Sequence, residues 1–122
     1  MQRSVAVINP VQGHIISNAF EQAMKELTQA RGTYGNRYKK RACAVGVMSF
    51  YHGRIDPNKP NSLRPQLLPD DIRKVWLGFN RYLNRKYRHN SVSFNDCRKW
   101  DFATFKEEAI TWESMTLPDL SA

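Results

Sequence analysis

A chain of 122 residues, 41% of them hydrophobic and 25% charged, fits one folded domain; it is too short for two and too apolar for intrinsic disorder. No apolar run approaches the length of about 18 residues that a membrane span needs, and the N-terminal stretch lacks the features of a secretory leader, so a cytoplasmic protein without membrane contact is expected. The net charge of +8 points to a polyanion or an acidic protein surface as partner.

Val5, Val7 and Ile8 predict a short extended arm over residues 1–13, stopped by Asn9-Pro10. Ile16, Phe20, Ala23, Met24 and Leu27 then recur at helical spacing, predicting a first helix over 15–31 with Gly32 as its stop. The following RGTYGNRYKKR, with Gly32, Gly35 and Asn36 as punctuation, predicts a loop. ACAVGVMSFYHG predicts a short second helix with Ala44, Val47, Met48 and Tyr51 along one side, a strand being the competing reading. The segment 53–69 holds four prolines and reads as a long irregular connection.

The third helix has the clearest signal. Pro69 suits a first helical position, Asp70 and Asp71 suit the positive dipole end, and Ile72, Val75, Trp76, Phe79, Leu83 and Tyr87 form an apolar stripe. Residues 89–100 read as a polar loop, Asp101 as the N-cap of a last helix with Phe102, Phe105, Ala109 and Trp112 inward, and 115–122 as a tail. The expected fold is therefore mainly α: a single-domain bundle of about four helices with a short N-terminal extended arm.

Charge is concentrated in the middle of the chain. Residues 31–99 hold sixteen Lys and Arg against four Asp, about +12, whereas residues 100–122 carry −4. Arg31, Arg37, Lys39, Lys40 and Arg41 can neutralise phosphates, Tyr34 and Tyr38 can stack on unpaired bases, and Lys74, Arg81, Arg85 and Arg88 fall along one line of the third helix. These residues form the candidate nucleic-acid surface, with nucleic acid or a nucleoprotein as the expected partner. The same cations facing an acidic protein are the alternative, and a solvated basic face is the bland one.

A cysteine-dependent enzyme is the third reading. Cys43 stands at the start of the second helix beside Lys39, Lys40 and Arg41, a setting that lowers a thiol pKa, with His14, His52 and His89 as the only imidazoles for a base and Asn95 or Asp96 to orient one. Against it, a free cysteine is more often a small buried apolar group, and no catalytic residue is assigned. Two cysteines allow one disulfide at most and are expected as reduced thiols. The spacing of Cys and His predicts no metal site, and no cofactor is expected.

The order helix, Cys-Ala-x-Gly, long loop, amphipathic helix and Asn-Asp before a final helix resembles a family of small bacterial and phage proteins without an established activity. The matching residues are Cys43, Ala44, Gly46, Asn95 and Asp96; Thr33-Tyr34 stands where that family has tryptophan-glycine. The resemblance implies a small helical domain and no established activity. Physically, Gly46 inside a helix predicts close approach by another helix, and Asn95 and Asp96 predict a turn closed by side-chain bonds to nearby amides, joining the second helix to the loop before the last one.

Overall fold

The first helix exists because one face of it is apolar and has something to pack on. The computed structural model describes residues 13–121, and the arm expected over 1–13 lies, but for its last residue, outside them. Helix α1, Ile15–Glu26, buries Ile16, Ala19, Phe20 and Ala23, and the Phe20 ring stacks on Phe105 of the last helix at 5.3 Å. It ends well before Gly32. Leu27 is extended, and the chain enters a two-residue strand β1, Thr28–Gln29, so pairing with a distant segment overrides helical spacing.

That segment lies in the loop expected over 31–41, which carries two more short strands, β2, Gly35–Asn36, and β3, Arg41–Ala42. β3 is central, parallel to β1 with Thr28 opposite Arg41 and antiparallel to β2 with Gly35 opposite Ala42. Gly35 adopts φ +112°, and a Cβ there would lie 2.0 Å from the Arg41 carbonyl oxygen, so only glycine permits this hairpin.

Helix α2, Ala44–His52, ends at its C-cap Gly53. It is not one-sided, however: Ala44 through Ser49 are all buried, the signature of a central helix covered all round. The irregular 53–69 connection contains a 3-10 turn, Pro65–Leu67, and drops Leu63, Leu67 and Leu68 into the core.

Helix α3, Asp70–Tyr87, buries Ile72, Val75, Trp76, Phe79 and Leu83, with Pro69 as N-cap. The polar loop expected over 89–100 is instead interrupted by a short helix α4, Ser91–Asp96, whose start is capped by the Asn90 side chain accepting from Ser93 N–H at 3.0 Å. Periodicity missed it because six residues barely complete one turn and a half. Helix α5, Phe102–Ser121, starts where predicted, with Asp101 Oδ1 accepting from Thr104 N–H at 2.9 Å, and continues through the segment expected as a tail. The molecule is mainly helical, with a small three-stranded sheet; among the described residues no helix is long and apolar enough to cross a membrane.

Helices α1 and α5 are joined by a contact with no sequence signal. Glu113 is buried, and its Oε2 accepts from the backbone N–H groups of Ile16 at 3.0 Å and Ser17 at 3.2 Å. The N-terminus of α1 is thus capped by a residue nearly a hundred positions away, since the local N-cap, His14, offers no side-chain bond.

Candidate nucleic-acid interface

Two features meet around the hairpin: a crevice beneath it and a set of cations around it. The crevice, about 290 Å3, is lined by Tyr34 of the hairpin, the buried Cys43, Ala44 and Val45 at the start of α2, and Val92 and Asp96 of α4. Gly46 sets its geometry. A Cβ at Gly46 would lie 2.2 Å from the Tyr34 carbonyl oxygen, so the absent side chain admits the hairpin backbone onto the first turn of α2 rather than a second helix. Cys43 N–H then donates to that same carbonyl at 3.0 Å.

Asn95 and Asp96 act at long range, not within a local turn. Asn95 Oδ1 accepts from Ala44 N–H at 3.1 Å and from Gln29 Nε2 at 2.8 Å, while its Nδ2 donates to the Ala30 carbonyl and to Asp96 Oδ1. Asp96 Oδ1 also accepts from Gly32 N–H at 2.9 Å. One buried amide and its neighbour therefore tie β1, the hairpin, α2 and α4 together. Both residues stand out in the sequence, but their partners, 51 to 66 positions away, do not.

Cys43 is the N-cap of α2, its Sγ accepting from Gly46 N–H at 3.4 Å. Burial pushes the thiol pKa up and the Asp96 carboxylate adds to this, outweighing the stabilising N–H groups of Gly46 and Val45. No histidine lines the crevice among the described residues. Cys43 and Cys97 are both free thiols, Cys97 exposed.

The cations divide into engaged and available groups. Arg37, expected to bind phosphate, is half-buried and donates from Nη1 to the Phe50 carbonyl at 3.0 Å and from Nη2 to the Ser49 carbonyl at 3.1 Å, with its guanidinium over the Phe50 ring. It caps the C-terminal end of α2, where the dipole favours a cation. Arg31 is exposed yet donates to the carbonyls of Asn95, Trp100 and Lys99, fastening the hairpin to the end of α4. Tyr38 is 81% exposed and Tyr34 42%. Lys39, Lys40 and Arg41, next to Tyr38 in the chain, are exposed, and Lys74, Arg81, Arg85 and Arg88 are exposed on α3. None of these nine basic residues forms a salt bridge among the described residues; the chain's salt bridges engage Lys25, Arg64, Arg73, Lys86, Lys106 and His14 instead. Lys40 does act on the Glu26 carboxylate electrostatically.

Arg98 and Lys99 belong to the same surface and were not singled out from sequence. Arg98 Nη2 meets His89 Nε2 at 2.6 Å, next to Arg88, and the Lys99 carbonyl meets Arg31. A basic tract thus runs from the end of α3 to the start of the hairpin. Within the described residues, every non-glycine residue with positive φ is basic: Lys40 at 54°, Arg88 at 66° and Lys99 at 57°. The Arg98-Lys99 pair was visible as charge; its neighbours were not.

No family model, curated protein or solved structure matches the chain.

Proposed function

We propose that the chain is a small non-enzymatic binding protein that docks on nucleic acid or a nucleoprotein in the cytoplasm, through the hairpin and the basic face of α3. The observation that carries this reading is the segregation of charge: the chain pairs its cations elsewhere but leaves Lys39, Arg41, Lys74, Arg81, Arg85, Arg88 and Lys99 exposed and, among the described residues, without a salt bridge to a carboxylate. Such groups are suited to releasing counterions from phosphates. Tyr38, exposed between Arg37 and Lys39, supplies a face on which a base can stack. The left-handed backbone at Lys40, Arg88 and Lys99 adds support, since glycine suits such positions better. Cys43 contributes packing on this reading, its raised pKa and buried setting being those of a structural thiol.

Binding to a single strand and to a duplex, each at two salt concentrations, tests the proposal. Affinity should fall steeply with salt, and replacing Lys39, Lys40 and Arg41 together with glutamine should reduce the slope of log affinity against log salt by roughly 0.7 to 0.9 for each phosphate no longer neutralised. Tyr38→Ala should weaken single-strand binding by about 1–3 kcal/mol and duplex binding far less, because duplex bases hide their faces. Absence of binding to either substrate at low salt rejects the reading. The second reading, an accessory or inhibitor role on an acidic protein surface, draws on the same exposed cations. Recovery of a bound acidic protein in place of nucleic acid from the native source would favour it.

A further inference from the structure

We propose that the crevice beneath the hairpin seats one unpaired base of the bound strand, and that it selects a base carrying an exocyclic amino group through the Asp96 carboxylate. This inference rests on the nucleic-acid reading and adds a specificity to it.

Size comes first. A volume of about 290 Å3 lies at the lower end of small-molecule pockets, room for a flat heterocycle but not for a large ligand. Shape and chemistry agree. The base of the crevice is apolar and buried at Cys43, Ala44 and Val45, while Tyr34, part of the lining, is 42% exposed and offers an aromatic ring. Unpaired bases are held by such combinations of stacking and polar contact at their edges.

The Thr33 and Ser91 hydroxyls line the crevice as well, but its amide and carboxylate groups are mostly committed. Asn95 has its oxygen and its nitrogen each bonded twice, and Asp96 Oδ1 takes both Gly32 N–H and Asn95 Nδ2. Asp96 Oδ2 accepts no hydrogen bond among the described residues. The two bonds to Oδ1 fix the orientation of the carboxylate, leaving one oriented acceptor that lacks a donor. An ionised carboxylate only accepts, so its complement is an N–H-rich edge. The exocyclic amino groups of guanine, adenine and cytosine provide one, and guanine places a ring N–H beside it; thymine offers carbonyls and a single ring N–H. A carboxylate repels the strand's phosphates unless cations flank it. Arg31 is held close by, donating to the backbone carbonyl of Asn95, the residue before Asp96.

The Asp96→Asn variant gives a signed test. The amide oxygen must stay with Gly32 N–H and Asn95 Nδ2, so the new NH2 group takes the place of Oδ2 and turns an acceptor into a donor. The experiment measures the intact chain against thymine octamers, all-thymine or carrying one central guanine, adenine or cytosine. The unmodified protein should bind the guanine-bearing octamer about tenfold more tightly than the all-thymine one, the worth of one hydrogen bond to a charged group. Asp96→Asn should raise affinity for the all-thymine octamer by removing repulsion and offering a donor to its carbonyls, and so abolish or reverse the preference. Val92→Trp, a change at an exposed position on the rim, should fill the crevice and erase the preference while leaving the salt slope unchanged, and it serves should the Asn variant fold poorly. Equal binding of all four octamers by the unmodified protein overturns this inference and leaves the basic-surface reading intact; failure of any octamer to bind rejects both. The free guanine mononucleotide binding as tightly as the octamer would show that the occupant is not part of a strand.

Discussion

At the scale of single residues, the molecule places two titratable groups where burial decides their behaviour. Burial raises the Cys43 thiol pKa, so in the folded protein an alkylating reagent at neutral pH should modify the exposed Cys97 first and reach Cys43 only on unfolding. Cys43→Ser should leave the salt dependence of binding intact but lower stability by about 1–3 kcal/mol, because a buried hydroxyl replaces a small apolar group; rapid labelling of Cys43 with parallel loss of activity would contradict this. Burial likewise raises the pKa of Glu113 from its ordinary 4.5, against the bonds from Ser17 and Ile16 and the attraction of His14, whose Nδ1 is 3.9 Å away. The raised pKa means that the folded state holds this proton more tightly than the unfolded chain. Above the unfolded value, stability therefore declines as pH rises through the folded one. Glu113→Gln keeps an acceptor at the start of α1 and removes the ionisation, so its unfolding free energy should lack that decline; parallel pH curves for the two proteins would refute the assignment. Glu113→Ala removes the acceptor from two buried N–H groups and should cost about 1–3 kcal/mol.

At the scale of elements, α2 shows how a local rule yields to a tertiary one. Replacing a helical glycine by alanine ordinarily gains about 1 kcal/mol, but at Gly46 the new Cβ meets the Tyr34 carbonyl oxygen at 2.2 Å. The hairpin backbone must retreat, and Gly46→Ala should instead destabilise by about 1–3 kcal/mol, measurable by denaturant unfolding; a gain in stability would mean that the hairpin moves freely. The glycine itself was legible as a close approach, since an unfavourable residue in a helix signals contact. Its partner was not, because a hairpin carbonyl leaves no periodic trace. The same limit explains the rest. α3 was readable from its apolar stripe and acidic first turn, and the start of α5 from Asp101. The early end of α1 was hidden because strands of two residues, such as Thr28–Gln29, have no alternation to detect, and α4 because six residues show too little helical period. Of the candidate surface, charge and exposed tyrosines were legible; that Arg37 is spent on the carbonyls of Ser49 and Phe50 was not, and Arg37→Ala should accordingly lower stability where Lys39→Ala does not.

Across the whole molecule, the positions of strain and of unpaired charge coincide, and this permits stability and binding to be separated. Lys40, Arg88 and Lys99 hold φ of 54°, 66° and 57°, a region that costs an L-residue about 1–2 kcal/mol and glycine almost nothing. Arg88 ends α3 and donates its N–H to the Asn84 carbonyl at 2.8 Å, a backbone bond that glycine retains. None of the three side chains makes a salt bridge among the described residues. Glycine at all three positions relieves the backbone but gives the unfolded chain more freedom, worth about 0.4–1 kcal/mol per site in the other direction. The net effect on unfolding free energy should therefore be near zero or favourable. Binding should respond differently: three exposed cations leave the proposed basic surface, and the dependence of log affinity on log salt should flatten by roughly 0.7 to 0.9 for each of the three that neutralises a phosphate. Unfolding in urea and titration against a single strand at several salt concentrations, on the same triple variant, measure the two effects separately. A variant that unfolds as readily as expected and binds with an unchanged slope would place these cations outside the interface; a large drop in stability would mean that the side chains hold the fold through interactions other than salt bridges.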